Sequence, residues 1–240
     1  MRDFGEHYLC LKKRKKSELV TKVPCLLRRL TMEDKEDALA LHRAMAANAN
    51  PEIFVPGTDE DFLRILDGEG VVLGVQDEKR IICMRTVLFQ THDDEVLRED
   101  MGLLPDQMER MAFIDYCVVH RDYRGNNLQF LTYYYMEDLL WEDFDYLYTT
   151  VSPRNIFSLR NVMDCGFYAF QLKECYGGHM RYLLRKDLKH SPSIRMKRHE
   201  SALLRDYSAQ QPILSGGKVG YRLMRNTSGI WMVFGTLVKK

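Results

Sequence analysis

The fold is indicated first by one stretch of the chain, Cys117-Val118-Val119-His120-Arg121-Asp122-Tyr123-Arg124-Gly125-Asn126-Asn127-Leu128. An apolar, β-rich run leads into a turn that contains Gly125, and the apolar spacing predicts a helix from Leu128. Such a turn can point successive backbone N–H groups outward, and the start of a helix adds partial positive charge. The pattern therefore predicts a cradle for an anion such as a pyrophosphate, to which Arg124 can add charge-assisted hydrogen bonds. The alternative is a plain strand-to-helix turn with a surface arginine.

Strands and helices interleave on both sides of this stretch. Apolar runs predict the strands, and helical spacing behind capping residues predicts the helices. The order over residues 23–187 is β-α-α-β-β-β-α-β-α-β-β, which indicates an α/β or α+β class around one mixed sheet. The predicted strands are 23–30, 71–75, 80–89, 111–119, 146–151, 167–172 and 180–184, and the predicted helices begin at Thr31, Thr58, Leu128 and Asn155.

The two ends of the chain differ from its middle. Residues 1–22 are predicted to be an N-terminal extension with a basic run from Lys12 to Lys16, which is either an anion or nucleic-acid contact or a solvated arm or helix face. Residues 188–240 are predicted to be a separate C-terminal appendage. It is expected to contain a helix over 195–206, chain breaks at Pro212, Gly216 and Gly217, and a hairpin of strands 219–224 and 230–237.

Composition narrows the class of protein. The chain has 240 residues and a net charge of +1, so one domain with appendages is expected and no strong field favours nucleic acid as a partner. The six cysteines are scattered without a CxxC pair, and no metal site is predicted. No secretory leader and no apolar stretch of membrane-spanning length is found, so the sequence predicts a reduced, cytoplasmic protein with no membrane partner.

A second block lies about thirty residues beyond the first. Asn155 opens a predicted helix, Ser158 follows three residues later, and Gly166-Phe167 ends the helix. Taken alone, Asn155 is an ordinary N-cap and Gly166 an ordinary C-cap.

The two blocks together resemble the GCN5-related N-acetyltransferase (GNAT) family over residues 23–187. The family's pyrophosphate loop is usually Arg-Gly-x-Gly-x-Gly/Ala, and this sequence keeps Arg124 and Gly125 but has Asn127 and Gln129 at the later glycine positions. Asparagine tolerates left-handed backbone, whereas the Gln129 side chain could hydrogen-bond the phosphates or crowd them. The resemblance implies a GNAT-like mixed, mostly antiparallel central sheet flanked by helices, with a C-terminal helix and β-hairpin extension.

The resemblance also implies a cofactor, acetyl-CoA or another acyl-CoA, and no metal. The backbone of Cys117 to Val119 is expected to pair with pantetheine, with one N–H polarising the thioester carbonyl, while Asn155 and Ser158 lie beside the pantetheine arm. The predicted cofactor-binding residues are Cys117, Val118, Val119, Arg124, Gly125, Asn126, Asn127, Leu128, Gln129, Asn155 and Ser158.

The acid and base of such a reaction are less clearly marked. Asp115 lies two residues before Cys117, on the same face of a regular strand, and is the predicted general base; a carboxylate paired with an arginine or hydroxyl is the alternative. Many relatives place a tyrosine four residues before the Gly-Phe pair to protonate the leaving thiolate, but that position is Val162 here. Water is then the expected proton source.

Two functions follow from these residues. The first is an acyl-CoA-dependent N-acyltransferase that transfers acetyl to a primary amine of a small molecule or peptide by direct attack. The second is a non-catalytic acyl-CoA-binding or protein-interaction module. Variable loops at 48–60 and 90–108, the latter with acidic residues 93–95, are the expected acceptor-binding segments. An unpaired edge of the C-terminal hairpin would favour a homodimer.

Overall fold

A computed structural model of the chain describes residues 4–14, 20–78, 80–89, 105–190 and 193–238. The chain divides into two compact units. The first unit comprises Met1–Asn48 and Pro56–Phe144, and the second comprises Ala49–Val55 and Asp145–Lys240.

The first unit contains an antiparallel sheet in the order β1-β2-β3-β4-β5. Its central strands are buried on both faces, which explains why they appear in the sequence as continuous apolar runs rather than as alternating patterns. The strands are β1 (His7–Lys13), β2 (Thr21–Arg29), β3 (Gly70–Asp77), β4 (Arg80–Leu88) and β5 (Met111–Val119), and the helices are α1 (Lys35–Ala46), α2 (Asp59–Arg64), α3 (Pro105–Met108) and α4 (Leu128–Leu140).

Capping residues set the helix starts of the first unit. Thr31 and Asp34 form a reciprocal capping box around the 3₁₀ turn that leads into α1. Thr58 and Asp61 form the same box at α2. In each box two amides at the helix start, which lack intrahelical partners, gain acceptors, so both predicted starts are confirmed.

The second unit contains an antiparallel sheet in the order β6-β8-β7-β10-β11-β9. Gly166, with φ +91°, ends its first helix as predicted. The strands are β6 (Tyr146–Val151), β7 (Tyr168–Cys175), β8 (His179–Asp187), β9 (Ser193–Leu203), β10 (Lys218–Asn226) and β11 (Gly229–Val238), and the helices are α5 (Ile156–Asp164) and α6 (Tyr207–Ser215).

The helix predicted over residues 195–206 is wrong. These residues belong mostly to β9, which pairs with β11 through partners such as Leu203 with Trp231 and Glu200 with Phe234. Long-range pairing along β11 decides the conformation here and overrides local helical preference. The helix instead starts after Asp206, whose side chain accepts a hydrogen bond from Ala209 N at 3.1 Å. It contains Pro212, which was predicted to break the chain.

The C-terminal hairpin is confirmed. β10 pairs with β7 at Gly220 and Ala169, so the hairpin continues the sheet of the second unit. At the other end of the chain, β1 pairs with β2 along its whole length, so part of the predicted N-terminal extension is a strand of the first sheet. The predicted domain limits at residues 22/23 and 187/188 stay predictions. No helix in the described parts of the chain is long and apolar enough to cross a membrane.

Candidate cofactor-binding and active site

The predicted phosphate loop connects β5 to α4 through a tight, largely exposed turn. Tyr123 is fully buried and anchors the 3₁₀ turn Arg121–Tyr123. Gly125 (φ +85°) and Asn127 (φ +58°) both adopt left-handed backbone, and α4 then starts at the buried Leu128. The substitution of asparagine for glycine at 127 is therefore tolerated, because asparagine enters the left-handed region more readily than most residues.

The start of α4 offers hydrogen-bond donors. The helix has 13 residues, and Asn127 provides no side-chain cap among the contacts described for this segment. The first amides of a helix have no intrahelical acceptor and carry partial positive charge. The exposed residues Arg124, Gly125 and Asn127 lie immediately before these amides. The turn thus has the donor set that an anion requires.

The Arg124 side chain reaches back to Val119, the last residue of β5. Its Nε donates to the carbonyl oxygen of Val119 at 3.4 Å, and the side chain is exposed. The N–H of His120 donates to Ile82 on β4 at 2.8 Å, so in an antiparallel ladder the backbone groups of Val119 point to the opposite edge of β5. The Val119 carbonyl that accepts from Arg124 agrees with this alternation.

A buried carboxylate supports the turn from inside the first unit. Asp77, at the end of β3, accepts hydrogen bonds from the Tyr123 hydroxyl and, at 2.7 Å, from Lys13 Nζ. Burial alone would raise the pKa of Asp77, but these two donors outweigh it and the pKa is lowered. Burial and the bond to Asp77 raise the pKa of Tyr123 to about 12. In the sequence, the basic run that contains Lys13 is the one sign of this cluster, because its three residues lie far apart in the chain.

Two of the predicted cofactor residues also hold the loop in place. The Asn126 amide donates to Lys12 O at 2.7 Å and to Tyr123 O at 2.8 Å, and its oxygen accepts from Lys12 N at 2.8 Å. The Gln129 carbonyl accepts from the buried Arg85 at 2.5 Å. For Asn126, contact with a cofactor would therefore come from the backbone.

Cys117 is a residue of β5, and its side chain contacts β4 and α4. Its Sγ is 3.9 Å from Cys83 Sγ and 3.7 Å from Thr132 Oγ1. The hydrogen bond with Cys117 and burial both raise the pKa of Cys83. All six cysteines lie in the described parts and are free thiols. A side chain packed in this way leaves the Cys117 backbone as the group for the predicted pantetheine contact.

β5 contains a bulge at the predicted general base. Cys117 pairs with Arg85 and Ile114 with Val87, so Asp115 and Tyr116 together oppose the single residue Thr86. Bulges re-aim side chains and interrupt the alternation of a strand. The expectation that Asp115 and Cys117 share a face assumed a regular strand, and the bulge removes that assumption. The half-buried Asp115 accepts from Thr86 Oγ1 at 3.2 Å.

Behind the bulge, Tyr116 is fixed by a histidine that the sequence did not single out. The Tyr116 hydroxyl lies 2.7 Å from His42 Nδ1, and His42 Nε2 lies 3.2 Å from the Gly57 carbonyl. Since that carbonyl can only accept, Nε2 carries the proton and Nδ1 accepts from the tyrosine. Burial lowers the pKa of His42, which favours the neutral imidazole. The pair holds α1 against the bulged part of β5.

The second block lies in the second unit. The Asn155 side chain accepts from Ser158 N at 3.2 Å and caps α5. Val162, four residues before Gly166, occupies the position expected for a proton-donating tyrosine; it is half-buried and has no titratable group. The predicted cofactor residues are therefore divided between the units, with the loop in the first and Asn155 and Ser158 in the second.

Part of the predicted acceptor segment 48–60 is anchored within the second unit. The Arg181 guanidinium, only 3% exposed, donates to the carbonyls of Pro51 at 2.7 Å and Glu52 at 3.3 Å. Ser152 Oγ donates to the same Glu52 carbonyl at 2.6 Å. Most of the other predicted acceptor segment, residues 90–104 with the acidic positions 93–95, lies outside the described residues.

Comparison with known proteins finds solved structures that share this architecture. No family model and no curated protein matches the chain. An N-acetyltransferase from Staphylococcus aureus Mu50 aligns with a TM-score of 0.53 at 15% identity, over 68% of this chain and 97% of that one. The GNAT domain of S. lividans PAT aligns with a TM-score of 0.53 at 13% identity, over 76% of this chain and 96% of that one. The putative acetyltransferase yncA from Salmonella typhimurium, solved with its cofactor acetyl-CoA, aligns with a TM-score of 0.53 at 12% identity, over 69% of this chain and 94% of that one.

At these identities the likeness concerns the fold, and it confirms the fold class expected from the two sequence blocks. The chain has the fold of the GCN5-related N-acetyltransferases.

Proposed function

We propose that the chain is a member of the GNAT family and an acyl-CoA-dependent N-acyltransferase that transfers acetyl from acetyl-CoA to a primary amine. The observation that carries this proposal is the turn from Arg124 to Asn127, with two left-handed residues and an exposed arginine immediately before the amides of α4. The shared fold supports it, since one solved structure of this fold contains acetyl-CoA as its cofactor.

The residues of the loop fit a pyrophosphate. The N–H groups at the start of α4 and the Arg124 guanidinium would hold it, and Leu128 keeps the helix start packed on the core. When bound, the cofactor supplies an acetyl thioester activated for attack by an amine. The N–H of Val119, directed away from β4, is the proposed donor to the thioester oxygen, because fixed donors stabilise charge that develops on a carbonyl oxygen.

Asp115 is the proposed base. It is held by Thr86 at the bulge, and as a carboxylate it would take a proton from the attacking amine directly or through a water. In a direct transfer the acetyl group would pass from the thioester to the amine nitrogen and a thiolate would leave, so no covalent bond to Cys117 or another side chain would be needed. Val162 offers no proton, and solvent is the proposed donor to the leaving thiolate.

The acceptor is proposed to be an amine of a small molecule or peptide, approached through residues 48–60 and 90–108. The cytoplasmic location and the homodimer expected from the sequence stay predictions. The half-buried Val162 at the acid position favours one second candidate, a GNAT-fold module that binds an acyl-CoA without turnover.

Calorimetry with acetyl-CoA tests the proposal on the wild type and on Arg124→Ala. We expect saturable binding by the wild type and a Kd about tenfold higher for the variant, since hydrogen bonds to charged groups contribute about 1.5–3 kcal/mol when sheltered and less when exposed. Release of free thiol across a panel of amines then tests catalysis. Binding without turnover would favour the non-catalytic module, whereas failure to bind acetyl-CoA and longer acyl-CoAs would exclude both functions.

A further inference from the structure

The N-terminal strand β1 is attached to the loop that is proposed to bind the cofactor. The Asn126 side chain bonds to both the N–H and the carbonyl of Lys12, at 2.8 and 2.7 Å. The N–H of Arg14 donates to the carbonyl of Asp122 at 2.8 Å. These contacts join residues 12–14 to both the beginning and the middle of the turn, over a sequence separation of more than a hundred residues.

A second set of contacts fixes the direction of the side chains at this end of β1. Lys13 Nζ reaches inward to Asp77 Oδ2 at 2.7 Å, and Tyr123 of the loop shares the same carboxylate. Arg14 is the next residue, immediately after β1. Its side chain is exposed.

The Arg14 guanidinium lies over the glycine of the turn. A Cβ placed on Gly125 would lie 3.1 Å from Arg14 Nη2 and 3.7 Å from its Cζ. Gly125 stands between Arg124, the arginine already assigned to the phosphate, and Asn127, which opens α4. Arg14 and Arg124 are therefore both found at one short, exposed turn.

We infer that Arg14 is a cofactor-binding residue that contacts the pyrophosphate, so that β1 contributes to the phosphate site. This inference rests on the proposed function. A guanidinium presents several N–H donors in one plane and matches the paired oxygens of a phosphate. An anion bound at this turn would be attracted by the positive charge of both arginines.

Calorimetry of the full-length chain with acetyl-CoA, at one fixed low salt concentration, tests the inference. The variants are Arg14→Gln, Arg14→Lys and, as a matched control, Arg121→Gln, which removes another exposed arginine from the same loop. We expect Arg14→Gln to raise the Kd about tenfold, Arg14→Lys to raise it less, and Arg121→Gln to change it less than about twofold. Thermal unfolding of each variant shows whether the fold is retained.

Two shorter ligands separate the phosphates. With 3′-dephospho-acetyl-CoA the effect of Arg14→Gln should persist, and with S-acetylpantetheine, which has no phosphate, it should vanish. An effect that disappears once the 3′-phosphate is removed would overturn the pyrophosphate assignment.

Failure of this inference is distinguishable from failure of the proposed function. If the wild type binds acetyl-CoA and Arg14→Gln binds equally well or more tightly, Arg14 is not a ligand and the inference alone is overturned. If the effect of Arg121→Gln equals that of Arg14→Gln, only the general charge of the loop matters, which also overturns it. If the wild type shows no saturable binding of acetyl-CoA, both the proposed function and this inference are overturned.

Discussion

At the scale of single residues, the backbone geometry of the predicted phosphate loop restricts which residue types can occupy it. Asn127 occupies left-handed backbone where the family usually has glycine, and Gly125 leaves room for the Arg14 guanidinium. Both positions could be marked from the sequence because left-handed turns favour glycine and asparagine. The contact between Gly125 and Arg14 could not, since nothing local relates two residues so far apart in the chain.

Asp77 gives the loop a stability that depends on pH. The pKa of Asp77 is lowered in the folded state because hydrogen bonds from Lys13 and Tyr123 outweigh burial. The contribution of Asp77 to the free energy of unfolding is therefore full above the pKa of an ordinary aspartate, and it is lost as the pH falls through the lower pKa of the folded state. We expect Asp77→Asn to reduce the free energy of unfolding by about 1–3 kcal/mol at pH 7. The difference from wild type should shrink steadily as the pH falls below 3.8.

Urea unfolding at pH 7 and pH 3 measures this dependence. Asp59→Asn is the control, because Asp59 pairs with Arg43 at 2.7 Å on an exposed surface where ion pairs contribute little. A loss for Asp77→Asn that is as large at pH 3 as at pH 7 would show that charge on Asp77 is not what holds the loop.

At the scale of elements, local patterns succeeded where the conformation is decided locally. The bounds predicted for β5 and β6 agree with the structure, and the capping boxes at Thr31 and Thr58 mark real helix starts. β9 was mistaken for a helix because its partner β11 lies some thirty residues further along the chain. The bulge in β5 also escaped prediction, because it is defined by register against β4 and not by its own residues.

Arg181 supports a prediction about the segment 49–55. Its buried guanidinium satisfies the carbonyls of Pro51 and Glu52, so Arg181→Met would leave them without these donors. We expect a loss of about 2–4 kcal/mol in the free energy of unfolding and faster amide exchange within 49–55. If this segment helps to bind the acceptor, the KM for the amine should rise while the Kd for acetyl-CoA stays near that of the wild type.

Arg154→Met is the control for the Arg181 variant. Arg154 is 63% exposed and pairs with the Glu52 carboxylate at 3.2 Å, so its loss should change stability by less than about 1 kcal/mol. Equal protection of residues 49–55 in wild type and Arg181→Met would contradict the anchoring role of the buried arginine.

At the scale of the whole molecule, the fold was accessible from two short motifs although overall identity to solved relatives of this fold is only 12–15%. Such divergence is compatible with one fold because cores accept many apolar combinations that keep volume and patterning. The proposed cofactor loop is recognisable in the sequence because Gly125 and Asn127 adopt left-handed backbone, which few residue types enter readily. The terminal segments have no such motif, and their places in the two sheets emerged only from strand pairing.

This pairing predicts how the second unit responds to truncation. A chain that ends at residue 190 lacks β9, α6, β10 and β11, and with them the strand that pairs with β7 and the Gln210 side chain that accepts from the Tyr182 hydroxyl. It also loses buried apolar residues, including Met232, Val233 and Phe234, whose burial contributes roughly 1.5–3 kcal/mol for each large side chain.

We expect the truncated chain to lose cooperative thermal unfolding of the second unit and to be cleaved rapidly by protease within 145–190. A chain that ends at residue 238 is the control and should behave as the full chain, because it keeps every described strand. If the chain ending at 190 instead keeps the wild-type Tm and resists protease, the second unit does not need the C-terminal strands, and the segment is a separate appendage.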